Sequence, residues 1–89
     1  MVVEDGIIDG NSITFVVSGA VSKESVSLLL LLIGYADRAG FAVKVDVERV
    51  EGVHADAVRD LRALETRGIR FLRKRPLPIY VDRVRTSLN

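Results

Sequence analysis

The chain reads as a small α/β domain built on a mixed sheet. Its predicted order is strand, strand, helix, strand, helix, strand, then a C-terminal strand or helix. Three observations predict this class. Ile13, Phe15 and Val17, and later Phe41, Val43, Val45 and Val47, recur with the period of two that a half-buried strand requires. Two other stretches repeat apolar residues at helical spacing, and each stops at a glycine, Gly40 or Gly68. The two kinds of segment also interleave, and strand–helix–strand units connect parallel strands by right-handed crossovers. At 89 residues the expected organisation is one domain, 1–89.

The elements follow in order. Ile7-Ile8 is a short apolar pair, and Asp9-Gly10-Asn11-Ser12 is a dense turn signal before the first alternating run. Together they predict a hairpin, with Gly19 ending its second strand. Ser22 is a suitable N-cap and Glu24 places an acid in the first turn, so a helix should run to about Ala39. That helix has two apolar stripes. Val26, Leu29, Leu30, Ile33 and Ala36 form one; Leu28, Leu31, Leu32, Tyr35 and Ala39 form the other, nearly opposite. A surface helix ordinarily has one. The second predicts self-association through Leu28, Leu31, Leu32 and Tyr35, as a homodimer or in a stable hetero-complex, unless another part of the chain folds over it.

The strand from Phe41 to Glu48 is the clearest in the sequence. A second helix is expected from Ala55 to Arg67, with Ala57, Val58, Leu61 and Leu64 inward and Arg59, Asp60, Arg62 and Glu65 outward. Ile69 to Leu72 reads as a short strand, and Arg73 to Pro78 as a basic, proline-punctuated connection. Beyond it two patterns compete. Ile79 and Val81 fit a strand, whereas Tyr80, Val84 and Leu88 fit a helix.

Composition narrows the function classes. Apolar residues are 48% of the chain, yet the most apolar stretch falls far short of the ~20 residues a bilayer span needs. No membrane insertion is expected. Residues 1–9 carry acids and no bases, unlike a secretory signal, and there is no cysteine. The expected location is cytoplasmic. The net charge of +1 hides an asymmetry: residues 1–58 hold four bases and nine acids, residues 59–89 nine bases and three acids. Such a split marks a basic face for an anionic partner, or two halves that neutralise each other.

Little in the sequence points to catalysis. His54 is the one histidine, and at a helix start such a residue is more often structural than catalytic. Asp56 is better placed to meet the helix dipole than to act as a general base. No glycine-rich loop leads from a strand into a helix, so no nucleotide cradle is visible and no cofactor is expected. Asp46 and Glu48 share a strand face, as exposed acids commonly do, and no metal site is expected. The chain reads as a non-enzyme. Arg67, Arg70, Arg73, Lys74 and Arg75 form a basic run that could meet nucleic acid or another anion, or simply be solvated.

The order of elements and several residues resemble the STAS domain, the fold of bacterial anti-sigma-factor antagonists and of sulphate-transporter tails. Val17-Ser18-Gly19-Ala20-Val21 is similar to the family's strand end before its first helix. Val45-Asp46-Val47-Glu48-Arg49-Val50 is similar to its central strand, with Asp46 at the usual aspartate. The resemblance places Val53 to Leu61 at the family's partner surface, so Val53, His54, Ala55 and Asp56, with Arg59 and Arg62, become the expected docking residues. Where the family carries aspartate, serine, serine or threonine, glycine, this chain has His54, Ala55, Asp56 and Ala57. The implied function is a scaffold that docks a partner protein without a phosphorylation switch. The competing reading is a small dimeric nucleic-acid binder similar to Alba proteins, using the basic second half.

Overall fold

A valine-rich strand forms the middle of the sheet in the computed structural model, which describes residues 1–80. The chain folds as β1 (Val2–Asp9), β2 (Ser12–Val21), α1 (Lys23–Arg38), β3 (Ala42–His54), α2 (Ala55–Thr66), β4 (Arg70–Leu72) and β5 (Ile79–Tyr80). One mixed sheet has the order β1-β2-β3-β4, and β5 pairs with β3 farther along. β1 is antiparallel to β2, while β2, β4 and β5 run parallel to β3. This is the small mixed α/β arrangement, β-β-α-β-α-β, that the sequence predicts.

Local chemistry sets the boundaries. Asp9 pairs with Ser12, which leaves Gly10-Asn11 as a two-residue hairpin turn. The Ser22 hydroxyl caps α1 by accepting the Ser25 N–H at 3.3 Å. Both helices close in the same way. Phe41 N–H donates to the Ala36 carbonyl at 3.0 Å, and Ile69 N–H to the Leu64 carbonyl at 3.1 Å. Each closure wraps a glycine at positive φ, Gly40 at 89° and Gly68 at 97°, a backbone that a Cβ would strain.

β3 is longer than the alternation predicts, at 13 residues, because it is irregular. Its pairing with β2 slips between Val16 and Ser18 and again between Gly19 and Ala20. At each slip β3 supplies one residue more than β2, which is the geometry of a bulge. Val47, Val50 and Val53 therefore reach the same face at a spacing of three. At the first slip the Asp46 carboxylate accepts the Glu48 N–H at 3.0 Å. Gly19 lies within β2 rather than ending it, as had been expected.

Both helices pack on one face of the sheet. Val26, Leu29, Ile33 and Ala36 of α1 and Ala57 and Leu64 of α2 meet Phe15, Val17, Val43, Val45 and Val47. Leu30, expected in the inward stripe of α1, is instead 40% exposed, because it sits at the margin of that stripe. The opposite face of the sheet carries a groove of about 340 Å³ lined by Asp5, Ile7, Asp46 and the ion pair of Glu4 with Arg49, at 2.7 Å. Ile79–Tyr80 is a strand, as one of the two C-terminal patterns had it; residues 81–88 lie outside the described residues. No helix of the described residues is long and apolar enough to cross a membrane.

Leu29→Ala should lower stability by about 2–5 kcal/mol, since Leu29 is fully buried between α1 and the sheet. Leu31→Ala, on the outer side of the same helix, should change it by no more than about 0.5 kcal/mol in dilute protein. Urea unfolding of the two variants checks the contrast.

Candidate functional site

The parallel strands β2, β3 and β5 all end at the same side of the sheet, and both helices start there. In open α/β sheets this end is where ligands and partners gather. Val21 pairs with Val53, Val53 with Ile79 and His54 with Tyr80, so the start of α1, the start of α2 and β5 converge. The Val53 N–H donates to the Pro78 carbonyl at 2.8 Å and fixes the third of these segments to the second.

His54, Ala55, Asp56, Arg59 and Arg62 are exposed around the β3–α2 junction and along the outer face of α2. The structure brings these expected docking residues together. Val53, expected among them, is the exception. It is 3% exposed and belongs to the core, because the second slip in β3 turns its side chain toward the helices. His54 is the N-cap of α2 and makes no side-chain capping bond there, while Asp56 sits in the first turn.

Glu24, in the first turn of α1, has its carboxyl held below the ordinary 4.5 by its own backbone N–H and then by the Ser22 hydroxyl. Weaker attraction comes from Lys23 and His54, which places this acid in the field of the β3–α2 junction. On the far edge of the sheet, Ser18 and then Arg49 hold Glu4 below the same value.

Two grooves flank α2 and the 73–78 connection. One, of about 240 Å³, lies between α2 and the segment from Pro76 to Ile79; Val58, Leu61, Leu77 and Ile79 form its apolar lining, and Arg62 and Glu65 its rim. Sequence reasoning missed this groove, since nothing local to Leu77 and Ile79 says that they return to α2. The other, of about 510 Å³, runs beside the edge of β3, with Arg73, Lys74 and Arg75 facing Glu48 and Glu51. It gathers only part of the basic run. Arg70 stands beside Lys44 at the start of β4, and Arg67 caps the end of α2.

The outer stripe of α1 is open. Leu28, Leu31 and Tyr35 are 47%, 59% and 66% exposed, and Leu32 is half-buried. Among the described residues no polar side chain is buried, and no three of His, Asp or Glu stand close enough to hold a metal ion.

No protein-family model matches the chain. No curated protein matches it either. Among solved structures it is similar to the crystal structure of Mglu, with 17% identity and a TM-score of 0.63 over 88% of this chain. The chain spans only 21% of that protein, and a likeness at this identity shows a shared fold.

The lowered Glu24 carboxyl couples the fold to pH. A carboxyl whose folded pKa lies below its unfolded value stabilises the fold above the unfolded pKa, and that contribution is lost as pH falls through the folded one. Glu24→Gln should therefore lower stability at neutral pH and flatten part of the acid limb, the two proteins converging once pH falls below the folded pKa. Urea midpoints followed from neutrality down through the carboxylate range check it.

Proposed function

We propose that the chain is a STAS-like interaction module that docks a partner protein without a phosphorylation switch and does no chemistry of its own. The observation that carries this reading is the apolar groove between α2 and the Pro76–Ile79 segment, opening beside the exposed start of α2. Val58, Leu61, Leu77 and Ile79 offer a seat for an apolar side chain. Arg62 and Arg73 line the groove against one acid, Glu65, and Arg59 is exposed nearby on α2. The fitting partner presents an apolar anchor flanked by acids, because buried anchors supply affinity while rim charges steer encounter. The element order and the mixed sheet support the STAS-like reading, as does Asp46 bracing the central strand. The stretch His54–Ala57 has no hydroxyl to phosphorylate. In this reading the open stripe of α1 is a second face, used for association of the chain.

A nucleic-acid reading draws on Arg73, Lys74 and Arg75 along one groove. Glu48 and Glu51 line the same groove and would repel phosphates, which is why we place this reading second.

Arg62→Glu should weaken partner capture by tenfold or more, about 1.4 kcal/mol, and shift stability by no more than about 0.5 kcal/mol. His54→Ala should weaken capture without unfolding the chain. Quantitative co-purification against wild type, with urea unfolding alongside, measures both. Equal recovery of partners by the variants would remove the α2 surface, and a regulatory phosphate on His54 or Asp56 would remove the switchless mode. Nucleic-acid affinity that falls steeply with salt would favour the second reading instead.

A further inference from the structure

We infer that α1 pairs with α1 of a second copy of this chain, antiparallel, with Leu31 on the two-fold axis. The inference deepens the reading of α1 as an association face and names its occupant. The side of α1 away from the sheet carries Glu24, Leu28, Leu31, Tyr35 and Arg38, all exposed. The steps between them are four, three, four and three residues. That spacing keeps one stripe in line along a helix that packs against another helix.

The stripe is also chemically symmetric about Leu31. An acid ends it at the N-terminal side and a base at the C-terminal side, with apolar residues between. Turning a second copy end for end sets Leu31 against Leu31 and Glu24 against Arg38, twice over, and brings Leu28 within one residue of Tyr35. The parallel alternative would set Glu24 against Glu24 and Arg38 against Arg38. Antiparallel packing also opposes the two helix dipoles favourably. Arg38 already lies over the Tyr35 ring, 5.1 Å from its centre, so its charge is held at the end of the stripe. Ser27 flanks the stripe on one side, and its small size lets the second helix approach, while Gly34 beside it is covered by Arg38, whose Nε donates to the Gly34 carbonyl at 3.2 Å.

The extent of the face sets the strength. A 16-residue helix is about 24 Å long, and a contact along one helix buries less than the ~800 Å² per partner of a standard stable interface. The dimer should therefore form reversibly in the micromolar range.

The chain has no cysteine, which makes cross-linking clean. Full-length Leu31→Cys, oxidised gently, should become a disulfide dimer. Glu24→Cys mixed with a differently tagged Arg38→Cys should give the mixed disulfide far more than either self-pair. Sedimentation of the wild type should show a monomer–dimer equilibrium that Leu31→Glu abolishes. A wild type that stays monomeric at high micromolar concentration would overturn the inference. So would a dominant Glu24→Cys self-pair, which means parallel helices. Slow maleimide labelling of monomeric Leu31→Cys would overturn it too, because the chain itself would then cover the stripe. These assays contain no partner protein, so their failure leaves the α2 docking surface standing, and failure of capture by the α2 variants leaves the dimer standing.

Discussion

Val45 is wholly buried, and the strand that carries it is paired along both edges and covered by both helices. Parallel pairing of β2 with β3 is what makes this burial work. It requires a crossover, α1 supplies it, and the same crossover brings Val26, Leu29 and Ile33 onto the valines of β3. α2 repeats the step from β3 to β4 and lies beside α1 on the same face. A chain of this size has one core, and each element either covers β3 or extends the sheet around it.

The irregularity of β3 joins the core to the proposed docking end. Without its two slips, Val50 and Val53 could not both follow Val47 onto the covered face, and the strand would begin to bury Arg49 and Glu51. Asp46 stabilises the first slip from within the strand by accepting the Glu48 N–H. The slips also settle which face His54 presents where α2 begins, so a feature of backbone register decides which residues of the junction meet solvent.

Legibility followed locality. The helices, their caps and the closing glycines were readable because each depends on residues within one turn. Ser22, Gly40 and Gly68 needed no knowledge of the rest of the fold. The first half of β3 was readable from alternation, and the second half was not, since a bulge converts a period of two into a spacing of three. Val53 was misplaced on the expected docking surface because the STAS resemblance put the partner loop there, although its position, in step with Val43, Val45 and Val47, points inward. The return of Leu77 and Ile79 to α2, and the pairing of β5 with β3, rest on contacts between residues distant in sequence. The charge asymmetry was visible, but its placement was not. Glu4, Asp5 and Asp9 lie on β1, whereas Arg70, Arg73, Lys74 and Arg75 lie on β4 and the connection after it, at the other edge of the sheet.

The two apolar stripes of α1 are not equivalent, and the difference separates folding from association. The inner stripe meets valines of the sheet, and each buried side chain contributes roughly 1.5–3 kcal/mol to the fold. Of the outer stripe, Leu32 packs against the core, whereas Leu28, Leu31 and Tyr35 stay exposed. Leucine at positions 28 and 31 and tyrosine at 35 do no work that a lysine or glutamate could not do for a solitary domain, and an open apolar strip of this length invites contact. A helix alone would tolerate polar residues there equally well, since propensity differences among leucine, lysine and glutamate are small. In the proposed dimer the leucines are explained by the second copy of α1 rather than by the helix they sit in. The acid and the base that end the strip fit the same reading, because opposite charges at its two ends make it complementary to its own reverse, which like charges would not.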